Sequence, residues 1–582
     1  MNILTDYILQ DANTFVKYTT DVSPDHGRTE IKLKEQLIVF VIQPNQDNIN
    51  TLIFANSMIN GTKKMIDFSI IFVPKETTEI IEYIISMSAI DVFDLYSFNI
   101  EIIPTDLDLY SMDMEESFSQ IYIDQNYDSI NQLASIVFKF EAAFGKIKHK
   151  YIKGDKAKLF NNFLKLKEEE HNVKFSDEVF GMIVLDRSAD FITPVLSNLT
   201  YEGAIDEHFG IKKGCIKVKR SYVKANFNPE DKKKKPNDDI EYPLTSEINK
   251  FYSKLRIMNY LAAFSYTNDI RNTFIQKITR NDEGINTSEM VEIVTELNKF
   301  VDIKNYLIDN INILQDIYKK ANNDDYEMIR AKEKSLLKGE PQKNSEILYD
   351  DYISEKKDFY KILNPMILES LTQGGLKNYS EIKKDMLNIY GFQKIFLLRN
   401  LEKLQLLKEK DKVALKKLFK SDFQTVCEKL DLNYKDFTRT KTDDLSYVQE
   451  GFCPISLKLI QRAAEGRWSE IRDSLQLIPG ETILPNNEYE VSNPTERINT
   501  IFVVFVGGAT YSEIEGIRYL NRKYKQQYDA SDDDNKTRKQ FIIITTQILN
   551  SKKMYDGLSK NFGSVYTIKK FYNDNQDSGK KK

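Results

Sequence analysis

Residues 182–194 read MIVLDRSADFITP, a short apolar run followed at once by a dense group of charged residues. The run Met182–Leu185 shows no alternation of apolar and polar residues, and neither does the longer run Ile501–Val506. Runs of this length are typical of strands that are buried on both faces of a parallel sheet. Three more runs of the same kind are Leu37–Ile42, Phe68–Val73 and Phe541–Ile544.

Helical patterns follow most of these runs. After Val506 come two glycines, Gly507 and Gly508, and then the sequence Thr510-Tyr511-Ser512-Glu513. Thr510 and Glu513 have the spacing of a capping box, in which each side chain bonds the other residue's backbone amide at the start of a helix. Strand, turn and helix in repeated succession predict α/β layers.

The middle of the chain differs from both ends, because helical periods dominate there and strand signals are few. The fold class is therefore α/β plus α: two α/β domains with parallel sheets and a large helical inserted domain. We expect an N-terminal α/β domain at 1–124, a discontinuous α/β domain at 125–243 and 490–582, and a helical domain at 244–489.

Composition limits the classes of function. The chain has 582 residues with 82 basic and 87 acidic side chains, a formal net charge of −5, and a pI of about 5.8. Binding along nucleic-acid phosphates needs a strongly basic face, so we expect no nucleic-acid partner. Three scattered cysteines and four histidines without metal-ligand spacing predict neither a disulfide framework nor a metal site. The longest clean apolar run is six residues, so we expect membrane contact only through partners.

The residues also show no recognisable catalytic signature. Asp186 and Asp190 are spaced for acid and base roles, but Arg187 between them favours ionised, salt-bridged carboxylates and a structural corner. Gly507-Gly508 could let backbone amides approach an anion, although the pair lacks a third glycine and a lysine. A tight strand-to-helix turn is the favoured interpretation.

At this point the sequence resembles the SM family, the cytosolic regulators that bind SNAREs in membrane fusion, and it is most similar to the vacuolar protein sorting-associated protein 33 branch. Matching segments run in order along most of the chain. They are Ile103–Asp108, Leu185–Pro194, Leu199–Glu207, Tyr390–Phe392, Asn400–Lys403, Tyr447–Val448, Gly451–Leu457, Val506–Ile514 and Thr545–Asn550. The signature residues that we expect to be structural are Asp186, Arg187, Asp190, Pro194, Glu202, Gly203, Asp206, Gly507 and Gly508.

The resemblance implies a three-domain arch without catalysis or cofactor. It implies binding of SNARE helices and service as the SM subunit of the HOPS and CORVET tethering complexes, in endosome-to-lysosome or vacuole transport. The implied partners are SNARE proteins, a vacuolar protein sorting protein 16-like tethering subunit and other class C subunits. The implied location is cytoplasmic, peripheral on late endosome, lysosome or vacuole membranes.

Two surfaces are predicted from residue type. A SNARE-facing groove is placed at Phe300, Ile303, Tyr306 and Leu307, with core packing of the same residues as the alternative. Contact with the tethering subunit is placed at Tyr447, Val448, Phe452 and Ile455, because aromatic anchors often dominate interfaces. The alternative there is a buried turn between helices.

Two other classes of function stay open at the level of sequence. One is an α/β enzyme or nucleotide binder that uses Gly507-Gly508 and Asp186. The other is a DNA reader of the winged-helix type within residues 391–408.

Overall fold

The computed structural model describes residues 37–42, 44–60, 67–73, 76–98, 101–171, 175, 179–224, 235–244, 250–279, 305–321, 323–340, 342, 345–410, 421–434, 444–485, 498–530 and 538–560. The chain divides into two compact units, Met1–Ile103 and Pro104–Lys582.

The first unit contains a parallel sheet of three strands in the order β1-β2-β3. The elements are β1 Leu37–Ile42, α1 Gln46–Asn60, β2 Asp67–Phe72, α2 Thr78–Ser86 and β3 Phe93–Ser97. Alternate residues of β2, Phe68, Ile70 and Phe72, pack with Ile49 of α1 and Ile84 of α2. Helix α2, which follows β2, therefore turns Ile80 and Ile84 towards this core.

The second unit is built on a seven-stranded sheet in the order β10-β6-β7-β11-β12-β5-β4. Its strands are β4 Ile103–Asp106, β5 Leu109–Ser111, β6 His149–Lys153, β7 Val179–Asp186, β10 Thr482–Ile483, β11 Ile498–Val506 and β12 Arg538–Thr545. A separate hairpin pairs β8 Cys215–Lys219 with β9 Asp239–Pro243.

The central strands come from distant parts of the chain. β7 pairs in parallel with β11, so that Val503 lies opposite Ile183, and β11 pairs in parallel with β12. Consecutive residues of β11 from Phe502 to Val506 are buried, which requires cover on both faces of the sheet. Strands from both sides of the helical region thus complete one sheet, the discontinuous arrangement that the sequence predicts.

One predicted boundary needs correction. β4 and β5 lie within residues 1–124, but they belong to the seven-stranded sheet, where Leu109 of β5 pairs with Ile543 of β12. Parallel pairing with a central strand holds this segment in the second unit. The N-terminal unit therefore ends at Ile103 rather than at residue 124.

Helices surround the larger sheet and form the inserted region. The first five after β5 are α3 Asp128–Phe144, α4 Asp155–Glu170, α5 Tyr201–His208, α6 Lys250–Leu255 and α7 Tyr260–Thr279. Next come α8 at 305–321, and then α9 Asp324–Leu337, α10 Ser345–Ser354, α11 Phe359–Gln373, α12 Tyr379–Tyr390, α13 Ile395–Lys403, α14 Asp422–Leu430, α15 Ile455–Ala464 and α16 Arg472–Leu477. The last two are α17 Tyr511–Ala530 and α18 Ser551–Lys560. Sheet and helical residues share one large core, which runs from Ile183 and Val503 to Trp468 and Leu558.

Candidate functional site: a buried polar junction

Arg187 lies at the centre of the charged group that follows β7, and its side chain is buried. The guanidinium holds Glu513 in a bidentate pair, with Nη1 to Oε2 at 2.7 Å and Nη2 to Oε1 at 2.8 Å. It also donates to the carbonyl of Asp190 through Nε and Nη2, and to the carbonyl of Gly508 through Nη1. One buried side chain therefore joins the end of β7 to the start of α17.

Glu513 completes the predicted capping box. Its Oε2 accepts from the Thr510 amide at 2.8 Å, and its own amide donates to Thr510 Oγ1 at 3.3 Å. Its Oε1 accepts from the Ser456 hydroxyl at the start of α15. Burial acts to raise the pKa of Glu513, but the charge and hydrogen bonds of Arg187 outweigh it and hold the pKa below its usual range.

Asp190 and Asp186 are both buried and both act as structural acceptors. Asp190 accepts from the amide and hydroxyl of Thr193 at 3.0 and 2.7 Å, and from the Ser456 amide at 3.1 Å. Asp186 accepts from the Ser188 amide, the Lys156 amide and the Tyr122 hydroxyl. These contacts support the structural corner rather than an acid and base pair, and the principal partner of Arg187 is Glu513.

The two glycines after β11 form a tight turn with positive φ angles of 93° at Gly507 and 113° at Gly508. A Cβ on Gly507 would lie 2.7 Å from the Tyr122 ring, so the turn is closely covered. The next amides are already bonded, Ala509 to the Gln547 carbonyl and Thr510 to Glu513. The turn is therefore closely covered and these two amides are used inside the chain, which argues against the nucleotide-binding interpretation.

A second buried cluster surrounds Arg518, one helical turn beyond the capping box. Its Nη1 bonds Glu202 at 2.7 Å and Glu515 at 2.6 Å, and its Nη2 bonds Asp106 and Asp108 at 3.1 and 3.2 Å. Burial raises the pKa of Glu515 to about 8. Burial also acts to raise the pKa of Glu202, but the charges of Arg518 and Arg256 and the hydrogen bonds to Glu202 together outweigh it and lower that pKa. The cluster fixes the segment that begins the second unit.

The remaining signature residues lie in α5 or in the turn before it. Asp206 accepts from the side chains of Asn550 and Lys553 at 2.6 and 3.0 Å, which joins α5 to α18. Gly203 packs so closely that an added Cβ would meet Asn198 at 2.9 Å. Pro194 is the second residue of a short 3-10 turn, Thr193–Val195.

A third buried cluster joins α5 to the helical region through Arg330 of α9. Arg330 Nη1 donates to Glu333 at 2.5 Å, and its Nη2 lies 3.6 Å from Glu450. Glu333 in turn accepts from the amide and hydroxyl of Ser197 at 3.1 and 2.9 Å. Glu207 lies in the same environment, where burial raises its pKa to about 7.

Sequence reasoning missed the members of the second and third clusters, Glu207, Arg330, Glu333, Glu515 and Arg518. The three-residue spacing of Glu515 and Arg518 along one helix was an available signal. The residues that these side chains bind in other elements are distant in sequence, so the sequence contains no local signal for those contacts.

The predicted SNARE-facing residues fall into two groups. Phe300 and Ile303 lie outside the described residues, whereas Tyr306 and Leu307 begin α8. Tyr306 is half-buried, but Leu307 is buried and presents no surface in this conformation, which corrects its placement on a groove face. Asn310, one turn further along, fixes the helix by bonding the Tyr201 hydroxyl at 2.9 Å.

The predicted tether-contacting residues Tyr447, Val448, Phe452 and Ile455 are all buried, which corrects their placement on a surface. The Tyr447 hydroxyl donates to the Glu515 carbonyl at 3.2 Å, and its ring packs on Tyr519. These four side chains therefore pack against other residues of the same chain instead of anchoring a partner. The buried turn, which was the alternative, is what the structure contains.

An open cleft with a volume of about 770 Å³ lies between the end of α5, the β8–β9 hairpin and α18. Charged side chains of both signs line it, among them Glu115, Lys212, Glu241 and Lys553. Small-molecule sites are usually enclosed and mainly apolar, so this lining does not indicate one. Within the described ranges, no group of histidine, cysteine and acidic residues could hold a metal ion, and no helix is long and apolar enough to cross a bilayer.

Known proteins resemble the chain over most of its length. It is 27% identical over 533 residues to the vacuolar protein-sorting-associated protein 33 homolog of Arabidopsis thaliana, covering 88% of this chain and 84% of that protein. It is 25% identical over 542 residues to vacuolar protein sorting-associated protein 33A of Rattus norvegicus, covering 90% and 86%.

Solved structures share the fold. The Unc18–syntaxin 1 complex from Monosiga brevicollis matches with a TM-score of 0.54 and 14% identity, over 91% of this chain and 89% of that one. The SM protein Vps45 in complex with the Qa SNARE Tlg2 matches with a TM-score of 0.53 and 15% identity, over 89% and 85%. A model of the Sec1 family matches residues 20–557. The chain therefore belongs to the Sec1 family.

Proposed function

We propose that this protein is an SM-type regulator of SNARE assembly in membrane fusion between endosomes and the lysosome or vacuole. The observation that carries the proposal is the Sec1 family match over residues 20–557, together with relatives named for vacuolar protein sorting. The buried charged groups of the junction, Arg187, Asp190 and Glu513, are used for bonds inside the chain.

The mechanism follows from the physics of helix recognition. SNARE helices are amphipathic and gain order when they assemble, so a rigid surface that holds them in register reduces the entropy still to be lost. The Arg187 and Arg330 clusters give this rigidity, since they join the sheet to the inserted helices through buried charged hydrogen bonds. We place the SNARE contact at Phe300, Ile303 and Tyr306, the last of which begins the fixed helix α8.

A tethering subunit of the vacuolar protein sorting protein 16 type is the proposed second partner, within the HOPS or CORVET complex. Since Tyr447 and Phe452 are buried, we place this contact on Tyr434, which is 50% exposed. The Tyr434 amide bonds the Gly451 carbonyl at 2.8 Å, so this exposed ring lies beside the buried turn. Binding to such partners would bring the protein to late endosome, lysosome or vacuole membranes.

Affinity purification of the tagged chain from its own cells, followed by mass spectrometry, tests both partners. We expect SNAREs and the class C tethering subunits, with Tyr434→Asp losing the tethering subunits and keeping the SNAREs. Tyr96→Asp, an equally exposed tyrosine of the first unit, is the control and should keep both. Recovery of neither partner class by the unmodified chain would contradict the function, whereas unchanged recovery by Tyr434→Asp would contradict only the contact site.

A further inference from the structure

One side of helix α8 carries polar side chains that bond the segment after strand β8. Asp309 Oδ1 accepts from the Lys224 amide at 2.5 Å, and Asn312 Nδ2 donates to the Tyr222 carbonyl at 2.8 Å. Asp309 and Asn312 are three residues apart, so they lie on the same side of the helix. Their partners lie in or just after a 3-10 turn that runs from Arg220 to Tyr222. This turn therefore contacts α8 at two points along the helix.

A third polar side chain of α8 bonds a different element. The Tyr201 hydroxyl of α5 donates to Asn310 Oδ1 at 2.9 Å, and Asn310 Nδ2 donates to the Tyr306 carbonyl at 2.7 Å. Asp309 and Asn310 are fully buried. Burial of such groups is costly unless they are bonded, so these contacts must form when α8 packs. We call Asp309, Asn310 and Asn312 the polar set of α8.

The apolar side chains of α8 distinguish poorly between positions of the helix along its own axis. Leu307 and Ile311 are buried four residues apart, and so are Ile313 and Ile317. A displacement of one helical turn would bring Leu307 to the present place of Ile311, and Ile313 to that of Ile317. These sites would still hold apolar side chains, and hydrophobic burial is not directional.

The polar set does distinguish between these positions. Displacement by one turn in one direction would place Ile313 opposite the Lys224 amide. Displacement in the other direction would place Ile308 opposite the Tyr222 carbonyl. Isoleucine forms no hydrogen bond, and a buried polar group that loses its partner is costly. Of these three positions, only the observed one satisfies the contacts of the polar set.

The axial position of α8 decides where its first residues lie. One helical turn corresponds to about 5.4 Å along the axis, which exceeds the roughly 4.5 Å within which two apolar side chains are in contact. Tyr306, on which we place the SNARE contact, lies one turn before Asn310. A displacement of α8 by one turn would therefore take Tyr306 out of contact with a bound helix.

We propose that Asp309, Asn310 and Asn312 are positioning residues, which fix the axial position of α8 and thereby hold Tyr306 in place for a SNARE helix. Buried polar side chains can select one helix register among several that apolar packing would accept. The axial position is a property of the chain alone, whereas the effect on binding rests on the proposed function.

Distances between spin labels test the axial position. One pair of labels is attached to cysteines introduced at Lys319 of α8 and Gln526 of α17, and a second pair joins Lys319 to Lys217 of β8, because all three side chains are exposed. Both pairs are prepared with Cys215→Ser, since this half-buried native thiol could also be labelled. Two reference elements allow a displacement along the helix axis to be seen from different directions.

Loss of the polar contacts should release α8 from its single position. We expect one distance for each pair in the parent chain, and an additional distance displaced by up to about 5 Å in Asp309→Leu with Asn312→Leu. Asp309→Asn keeps an Oδ1 acceptor and should show the parent distance. Asn312→Leu alone serves if the double variant does not retain the emission of the buried Trp468. A single unchanged distance in both label pairs overturns the proposal.

Binding by the same variants separates positioning from stability. The affinity for the labelled cytosolic region of an endosomal Qa-SNARE should fall about tenfold in Asp309→Leu with Asn312→Leu and recover in Asp309→Asn. The control is Asn521→Leu, because Asn521 joins α17 to β12 through the Phe541 amide and carbonyl at 2.7 and 3.1 Å. This control should lower stability and leave the affinity unchanged.

The two measurements fail independently. A displaced distance with unchanged SNARE affinity overturns the positioning role. Absence of binding by the parent chain contradicts the proposed function, whereas the distances still decide whether the polar set fixes the axial position of α8.

Discussion

Replacement of Arg187 by methionine removes five hydrogen bonds from the buried junction, two to Glu513, two to the Asp190 carbonyl and one to the Gly508 carbonyl. Glu513 keeps only Thr510 and Ser456 as donors to a carboxylate that has no access to water. Loss of one partner from a buried ion pair typically destabilises a protein by about 3–5 kcal/mol. We expect Arg187→Met and Glu513→Gln each to lower the free energy of unfolding by that amount.

The double variant separates the ion pair from simple loss of packing. With neither charge present, Arg187→Met with Glu513→Gln should be destabilised by less than the sum of the single variants, a coupling of about 2–3 kcal/mol. The control is the exposed pair Lys158 and Glu481, whose Nζ–Oε2 distance is also short at 2.6 Å. Lys158→Met and Glu481→Gln should show a coupling below about 1 kcal/mol.

Trp468 is the single tryptophan of the chain, and its buried indole donates to the Leu459 carbonyl at 2.8 Å. Denaturation by guanidinium, followed by Trp468 fluorescence, therefore reports unfolding of the second unit, and linear extrapolation gives the free energy. If the coupling between Arg187 and Glu513 is no larger than that of the exposed pair, the junction does not hold the sheet to the helices.

Three further predictions concern stability. Glu207 has a native pKa of about 7 against an ordinary 4.5. Between these two pH values the native state therefore holds a proton that the unfolded chain has released. The free energy of unfolding should fall by about 3 kcal/mol as the pH rises from 4.5 to 7. Glu207→Gln should lack that fall in a pH series of denaturation curves. Lys153 has a pKa lowered by burial to about 8, so stability should rise from pH 8 to 10.5 in the parent chain, and Lys153→Met should lack that rise in the same assay. A Cβ on Gly516 would lie 2.2 Å from Leu457 Cδ1, so Gly516→Ala should lower the free energy of unfolding by about 1–3 kcal/mol, whereas Gly557→Ala, with no atom closer than 3.8 Å, should not lower it.

Local sequence patterns predicted the parts of this structure that depend on neighbouring residues. The apolar run Ile501–Val506 lies within a buried central strand, and Thr510 and Glu513 form the capping box that their spacing predicts. These features follow from side chains within a few residues of one another, so the sequence contains the information directly.

Local patterns could not predict which distant residues bind each other in the folded chain. Arg187 binds Glu513, which is 326 positions away, and nothing in the local sequence distinguishes this carboxylate from Asp186 or Asp190. The segment that contains Tyr447 also has a glycine and a proline, and this pattern is compatible with an exposed anchor or with a buried turn. Only the packing of Tyr519 against it decides between the two.

We propose that this member of the Sec1 family binds SNARE helices through its inserted helical region. The most direct measurement is a fluorescence-anisotropy titration of a labelled cytosolic region of an endosomal Qa-SNARE with the purified full chain. We expect saturable binding that Tyr306→Asp weakens at least tenfold, while Tyr96→Asp leaves the affinity unchanged. Absence of saturable binding by the unmodified chain to the endosomal Qa-SNAREs of its own cells would contradict the claim.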